Sequence, residues 1–187
     1  MLTQDKTEVL APRFTVQQFI EMGELGYFKT QHVELVHGEI IVMPPQGFQH
    51  AEWLERLHEK LLAALQGQAR VRNQSPVVVD AEQNDYLEPD LSVLRKSDEY
   101  ATRHVQPQDV QIAIEISKTT LRYDRTEKLA SYAFHGVPEV WILNVDKGKL
   151  EVYRDLRDGE YASRITLEPG QVVTPIAFPD LKLEWWA

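Results

Sequence analysis

A chain of 187 residues, 43% apolar and 26% charged, suits one globular domain with a core of its own. Its net charge of -9 argues against tight nonspecific nucleic-acid binding, which draws on a positive field. With no cysteine, disulfides, thiolate zinc sites and cysteine nucleophiles are excluded, and any metal must sit on Asp, Glu or His. No apolar run approaches the ~18 residues needed to cross a bilayer, and the N-terminus lacks the secretory pattern. The expected location is therefore the cytoplasm, with no membrane partner.

Residues 1–12 read as a loose arm. Thr15 followed by Gln18 three positions later is a capping box, so a short helix is expected from about Val16. "HVELVHGEIIVMPP" reads as a hairpin turning at His37-Gly38 and ended by Pro44-Pro45. From Ala51 to Gln66, leucines at 54, 57, 61 and 65 recur at helical spacing, and Gly67 can close the helix. Three strands follow. The first is "ARVRNQSPVVVDA", broken at Pro76; the second is "YLEPDLSVLRK"; the third is "VQIAIEISK", with the cleanest alternation in the chain.

A helix is then expected from Arg125 to about His135, with Asp124 as its cap and Glu127 at the third position, ended by Gly136 and Pro138. "EVWILNVD" reads as a buried strand that pairs with "KLEVYRD" across Asp146 to Gly148. The tail reads as short strands and turns. The order predicts an α/β (α+β) fold with a mixed sheet and no strict βαβ repeat.

Alternation puts Ile112, Ile114 and Ile116 on one face of their strand, and Ala113, Glu115 and Ser117 on the other. By the same rule Leu87, Leu91 and Val93 oppose Glu88, Asp90, Ser92 and Leu94. If these strands pair, Asp90 and Glu115 meet on a polar face. Two such carboxylates repel, and a hard divalent cation with oxygen ligands resolves the conflict. The plainer alternative is a wet polar face. Lys128 borders the apolar stripe of its helix, four residues before Tyr132, and can reach toward Glu115; a solvated surface lysine is the alternative. Glu34 interrupts the hairpin as an isolated charge, and His50 stands at the start of the long helix. Each has an ordinary exposed reading. Residues 118 to 128 carry four cations and two anions, a local +2 that leaves -11 for the remainder. Phosphate loops, GxGxxG, GxSxG and HExxH motifs are absent.

"EPDLSVL" followed by "AIEISKTTLRYDRTEKLASYAFHGVPEVWILNVD" resembles the "putative restriction endonuclease" domain family of the PD-(D/E)xK nuclease superfamily. The likeness takes in "FTVQQFIEM", "VELVHGEIIVMPP" and His50, and spans roughly residues 13 to 183. It implies a single restriction-endonuclease-like domain over 1–187, with a mixed central sheet flanked by helices. An N-terminal helix and hairpin precede that core, and short strands follow it. Pro89-Asp90 matches the PD half and Glu115 the central acid. Ser117 stands where the superfamily usually has lysine, and Lys128, from the following helix, matches the family's substitute. Lys118 is a rival that regular strand geometry would send to the opposite face. Glu34 and His50 match supporting positions.

The expected activity is metal-dependent hydrolysis of DNA phosphodiesters. Asp90 and Glu115, with a main-chain carbonyl near Ile116, would hold Mg²⁺ or Mn²⁺. Lys128 would act as a cation, and Arg122 and Arg125 would contact phosphates. A homodimer would allow both strands to be cut, with Trp185 and Trp186 as interface anchors or, alternatively, as packing on their own domain. The rivals are a catalytically silent nucleic-acid-binding or assembly module and a hydrolase of small phosphodiesters.

Overall fold

The computed structural model describes residues 12–79 and 84–186, so the N-terminal arm falls almost wholly outside the described residues. The elements are α1 (Val16–Glu24), β1 (Val33–Val36), β2 (Glu39–Val42), α2 (Phe48–Leu65), β3 (Arg70–Asn73), β4 (Val77–Val79), β5 (Asp85–Leu87) and β6 (Leu91–Leu94). After them come β7 (Val110–Ser117), a composite helix α3, β8 (Val140–Asn144), β9 (Lys149–Arg157), β10 (Glu160–Leu167), β11 (Val172–Val173) and β12 (Leu183–Glu184). Helix α3 runs as an α-turn (Leu121–Tyr123), a wide π-turn (Asp124–Lys128) and a second α-segment (Leu129–Phe134).

Local chemistry explains the first elements. Thr15 and Gln18 close the capping box in both directions, so α1 starts at Val16. At the β1–β2 turn, His37 and Gly38 both take positive φ, the pattern of a tight hairpin turn. A side chain on Gly38 would also press on the Phe14 carbonyl, 3.2 Å from where its Cβ would lie. Helix α2 starts three residues before the expected Ala51, and Gln66 takes the left-handed closing conformation ahead of Gly67.

Six strands in the order β10-β9-β8-β7-β6-β3 make the central sheet, and β2-β1-β5-β4 make a smaller one. In the central sheet β7 and β8 are parallel and the other neighbours antiparallel, so it is mixed. One face packs against α2 and the C-terminal segment through Leu91, Val93, Ile112, Ile114, Ile116, Leu57, Leu61 and Trp185. The other packs against α3 and the smaller sheet through Leu94, Ala113, Val140, Ile142 and Tyr132. Trp185 is core and its indole donates to the Gly148 carbonyl at 2.8 Å, so it is not an exposed interface anchor.

Three expectations are corrected. "YLEPDLSVLRK" forms two strands in two sheets. Pro89 supplies no N–H, and the chain crosses between the sheets at Glu88–Asp90. Leu87 therefore joins the core on the α3 side, while Leu91 and Val93 face α2. Asp124 does not cap a helix starting at Arg125; the helix is already under way at Leu121, and Asp124 opens its π-turn. The start of the tail is also more regular than expected, since β10 forms a long antiparallel hairpin with β9, while the short strands β11 and β12 follow it as expected.

Candidate active site

The face of β7 that carries Glu115 and Ser117 is covered by α3, and two side chains of that helix meet Glu115. The Tyr132 hydroxyl donates to Glu115 Oε1 at 2.6 Å, and Lys128 Nζ lies 2.9 Å from the same oxygen. Lys128 Nζ also donates to Glu34 Oε1 at 3.0 Å, bringing in β1 of the smaller sheet. Glu34, Glu115, Lys128 and Asp124 are each at most 2% exposed. The helix reaches this geometry through its π-turn, a wide turn that recurs at functional positions.

Asp90 sits where the chain leaves the sheet crossing and enters β6. Its Oδ2 accepts the Ile116 N–H at 2.7 Å, which ties it to the end of β7. Its Oδ1 lies 2.9 Å from His50 Nε2 on the first turn of α2. Asp124 Oδ2 accepts from Ser117 Oγ and Thr120 Oγ1, both at 2.6 Å. Ser117 thus serves the π-turn.

Apart from Tyr132 and Ser117, these groups line a cavity of about 280 Å³. Its floor holds Glu34, Asp90, Glu115, Asp124 and Lys128, with His50 beside them. The rim carries Met43 to Gly47 on one side and Lys118 to Thr120 on the other. Lys118 reaches the rim because β7 ends at Ser117 and the alternation stops there; its ammonium donates to Gln49 Oε1. Arg125 is elsewhere. It makes a two-pronged ion pair with Glu151 and lines a separate hollow beside β9 and β10. Arg122 is exposed and does not line the cavity.

Burial pushes the Glu115 carboxyl well up from its usual range, and the neighbouring Asp124, Asp90 and Glu34 charges add to it against the opposing pull of Lys128. Burial likewise raises Glu34, with Lys128 opposing. Burial works against the Lys128 ammonium, but Glu115 and Glu34 outweigh it and hold the lysine well above its ordinary range. Lys128 is therefore a cation at neutral pH, shared between two carboxylates.

The donors facing the cavity are oxygen-rich, as a hard divalent cation requires. Among the described residues, no three His, Asp or Glu side chains converge closely enough to hold a metal by themselves. Two carboxylates, completed by water and substrate phosphate, is a common arrangement for Mg²⁺. Asp90 and Glu115 fit that lighter mode. Glu34 Oε2 and His50 Nδ1 are buried with no hydrogen-bond partner among the described residues.

Sequence reasoning singled out Asp90, Glu115, Lys128, Glu34 and His50, and the structure gathers them at one cavity. It assigned Asp124 to a helix cap and Tyr132 to an apolar stripe, and passed over the rim threonines. The spacing of Ser117 and Asp124 gave no signal, since their contact depends on the π-turn.

No curated protein matches the chain. A crystal structure described as a putative nuclease belonging to DUF820, from Anabaena variabilis ATCC 29413, is similar with a TM-score of 0.68 at 18% identity. That likeness covers 91% of this chain and 94% of the other, and it concerns the fold. The Uma2 family, described as "Putative restriction endonuclease", matches residues 16–185, and with nearly the whole chain matched, the protein belongs to that family.

Proposed function

We propose that the protein is an endonuclease that hydrolyses DNA phosphodiester bonds with the help of Mg²⁺ or Mn²⁺. The observation that carries this reading is the Lys128 ammonium held 2.9 Å from Glu115 at the floor of a cavity that Asp90 also lines. Acid and cation come from different elements, yet they meet as hydrolysis of a phosphodiester requires. Asp90 and Glu115 would hold the metal. A bound divalent cation supplies an activated water and stabilises charge on the phosphate. His50 fixes the orientation of Asp90 through their 2.9 Å contact. Tyr132 fixes Glu115 in the same way, which leaves Oε2 as its free face. Lys128 is a poor general base, because its charged form is favoured by two carboxylates. It serves as a fixed cation that stabilises charge developing on the phosphate.

A second reading, a silent nucleic-acid-binding module, draws on Ser117 being bonded to Asp124 and on the lack of a three-donor metal set. One experiment separates the two. Purified protein is incubated with supercoiled and linear DNA in Mg²⁺, Mn²⁺ or EDTA, beside Glu115→Gln and Asp90→Asn. Metal-dependent cutting lost in both variants is the expected result. No cutting by the wild type in either metal would sink catalysis on DNA and leave the silent module.

A further inference from the structure

Three cations lead away from the cavity along one side of α2. Lys118, on the rim, is bonded to Gln49. From Gln49 the helix positions 53, 56 and 60 follow at spacings of four, three and four, so Gln49, Trp53, Arg56 and Lys60 share one stripe. The stripe rises about 16 Å over eleven residues, the length of roughly five phosphates on one strand of a duplex.

The two helix cations are held in place by aromatic rings. The Arg56 guanidinium lies 5.2 Å from the Trp53 ring and 5.9 Å from the Trp186 ring. Lys60 Nζ sits 3.7 Å over Trp186 and donates to the main-chain carbonyl of Glu184. Trp53 itself stacks on the buried Trp185, which anchors the set to the core. Arg56 and Lys60 are half-buried and frame a shallow hollow with Trp186 and Glu59.

Among the described residues, no carboxylate lies within salt-bridge range of Lys118, Arg56 or Lys60. Arg70, Arg103, Arg125 and Arg164 are each paired with an acid, while Lys96 and Lys147 are as unpaired as these three; what sets Arg56 and Lys60 apart is the indole ring each lies against. Glu52, Glu55 and Glu59 are exposed on the next stripe round the helix. A polyanion is therefore drawn toward the Lys118, Arg56 and Lys60 side and away from Glu52 and Glu55, with Glu59 at the border of the hollow. Cations fixed on indole rings lose little freedom when they bind a phosphate.

We infer that Lys118, Arg56 and Lys60 form a track for the phosphate backbone of a nucleic acid that leaves the cavity along α2. The inference rests on the nuclease reading for what enters the cavity, but its binding test does not. A fluorescein-labelled single-stranded oligonucleotide is titrated in EDTA at several salt concentrations, and polarisation gives the affinity. Each phosphate contact contributes about -0.7 to the slope of log affinity against log salt. Arg56→Ala/Lys60→Ala should flatten that slope by about 1.4. Arg56→Glu/Lys60→Glu should weaken binding by ~tenfold or more at low salt. Lys96→Glu/Lys147→Glu changes the net charge equally at exposed positions elsewhere and should have a much smaller effect.

Hydrolysis of bis(p-nitrophenyl) phosphate, too small to reach the track, reports the cavity alone and should be unchanged in the α2 variants. If the wild type cleaves nothing but loses oligonucleotide affinity in the α2 variants, the track stands and the nuclease reading falls. If affinity and slope are the same in wild type and α2 variants, or fall equally in the control pair, the track is wrong. Binding of an acidic peptide in preference to the oligonucleotide would overturn it as well.

Discussion

Helix α3 closes over two buried acidic clusters, and only one of them is built like a site. At the second, Asp85 Oδ2 lies 2.9 Å from His135 Nε2 and accepts from Ser131, while Oδ1 accepts the His37 N–H. Asp85 is fully buried and lines none of the cavities described above. Burial works against its charge, but the His135, Ser131 and His37 hydrogen bonds outweigh burial, so its carboxyl falls below the usual range. At the first cluster burial wins and Glu115 and Glu34 are raised, with Glu34 Oε2 left without a partner. Buried charge alone does not mark a functional position. What sets the first cluster apart is that its residues line a cavity.

The largest expected effect comes from breaking the first cluster at its cation. Lys128→Ala leaves two buried carboxylates uncompensated and should cost about 3–5 kcal/mol in urea denaturation, together with all cleavage. An unchanged denaturation midpoint would mean that the pair is solvated. Glu115→Gln sharpens the contrast, because it removes one charge from a cluster that has an excess of acid. It should abolish metal-dependent cutting while shifting stability by less than about 1 kcal/mol in either direction.

Asp85→Asn should do the reverse, costing about 1.5–3 kcal/mol at pH 7 with cleavage retained in the folded fraction. The sign of its pH dependence follows from its depressed carboxyl. The stabilisation is complete above the unfolded value of ~3.9 and disappears as pH falls through the lower folded value. The gap between wild type and Asp85→Asn should therefore narrow below about pH 4 in urea titrations. A gap that stayed constant to pH 2 would remove the hydrogen-bonded carboxylate as its cause. The smallest effect is at the far end of the chain. Thr15→Ala removes the capping box and should cost about 1 kcal/mol, seen as a lower melting temperature with unaltered cutting.

The parts that were legible in the sequence are those fixed by neighbours. Alternation along β7 placed Glu115 opposite the isoleucines, the 15/18 pair started α1, and His37-Gly38 turned the hairpin. Pro76 marked a break correctly, but one strand was expected straight through Pro89, and no local rule says that β4 and β5 go to a different sheet from β3 and β6. The Lys128–Glu34 contact joins residues 94 apart, and only the assembled fold brings them together. Asp124 was read as a cap because Asp before a helical run normally is one, and a π-turn inside a helix has no comparable pattern. Arg125 looked like a phosphate ligand by proximity in sequence; its partner Glu151 lies on a strand 26 residues later.

Lys128 is also a mechanical joint. Its one ammonium touches Glu34 on the smaller sheet and Glu115 on the central sheet, while its backbone belongs to the helix between them. Three separate pieces must be in place before the cation stands beside the acid. An incompletely assembled chain, with α3 undocked, would carry every side chain of the candidate site and still lack the arrangement that brings them together.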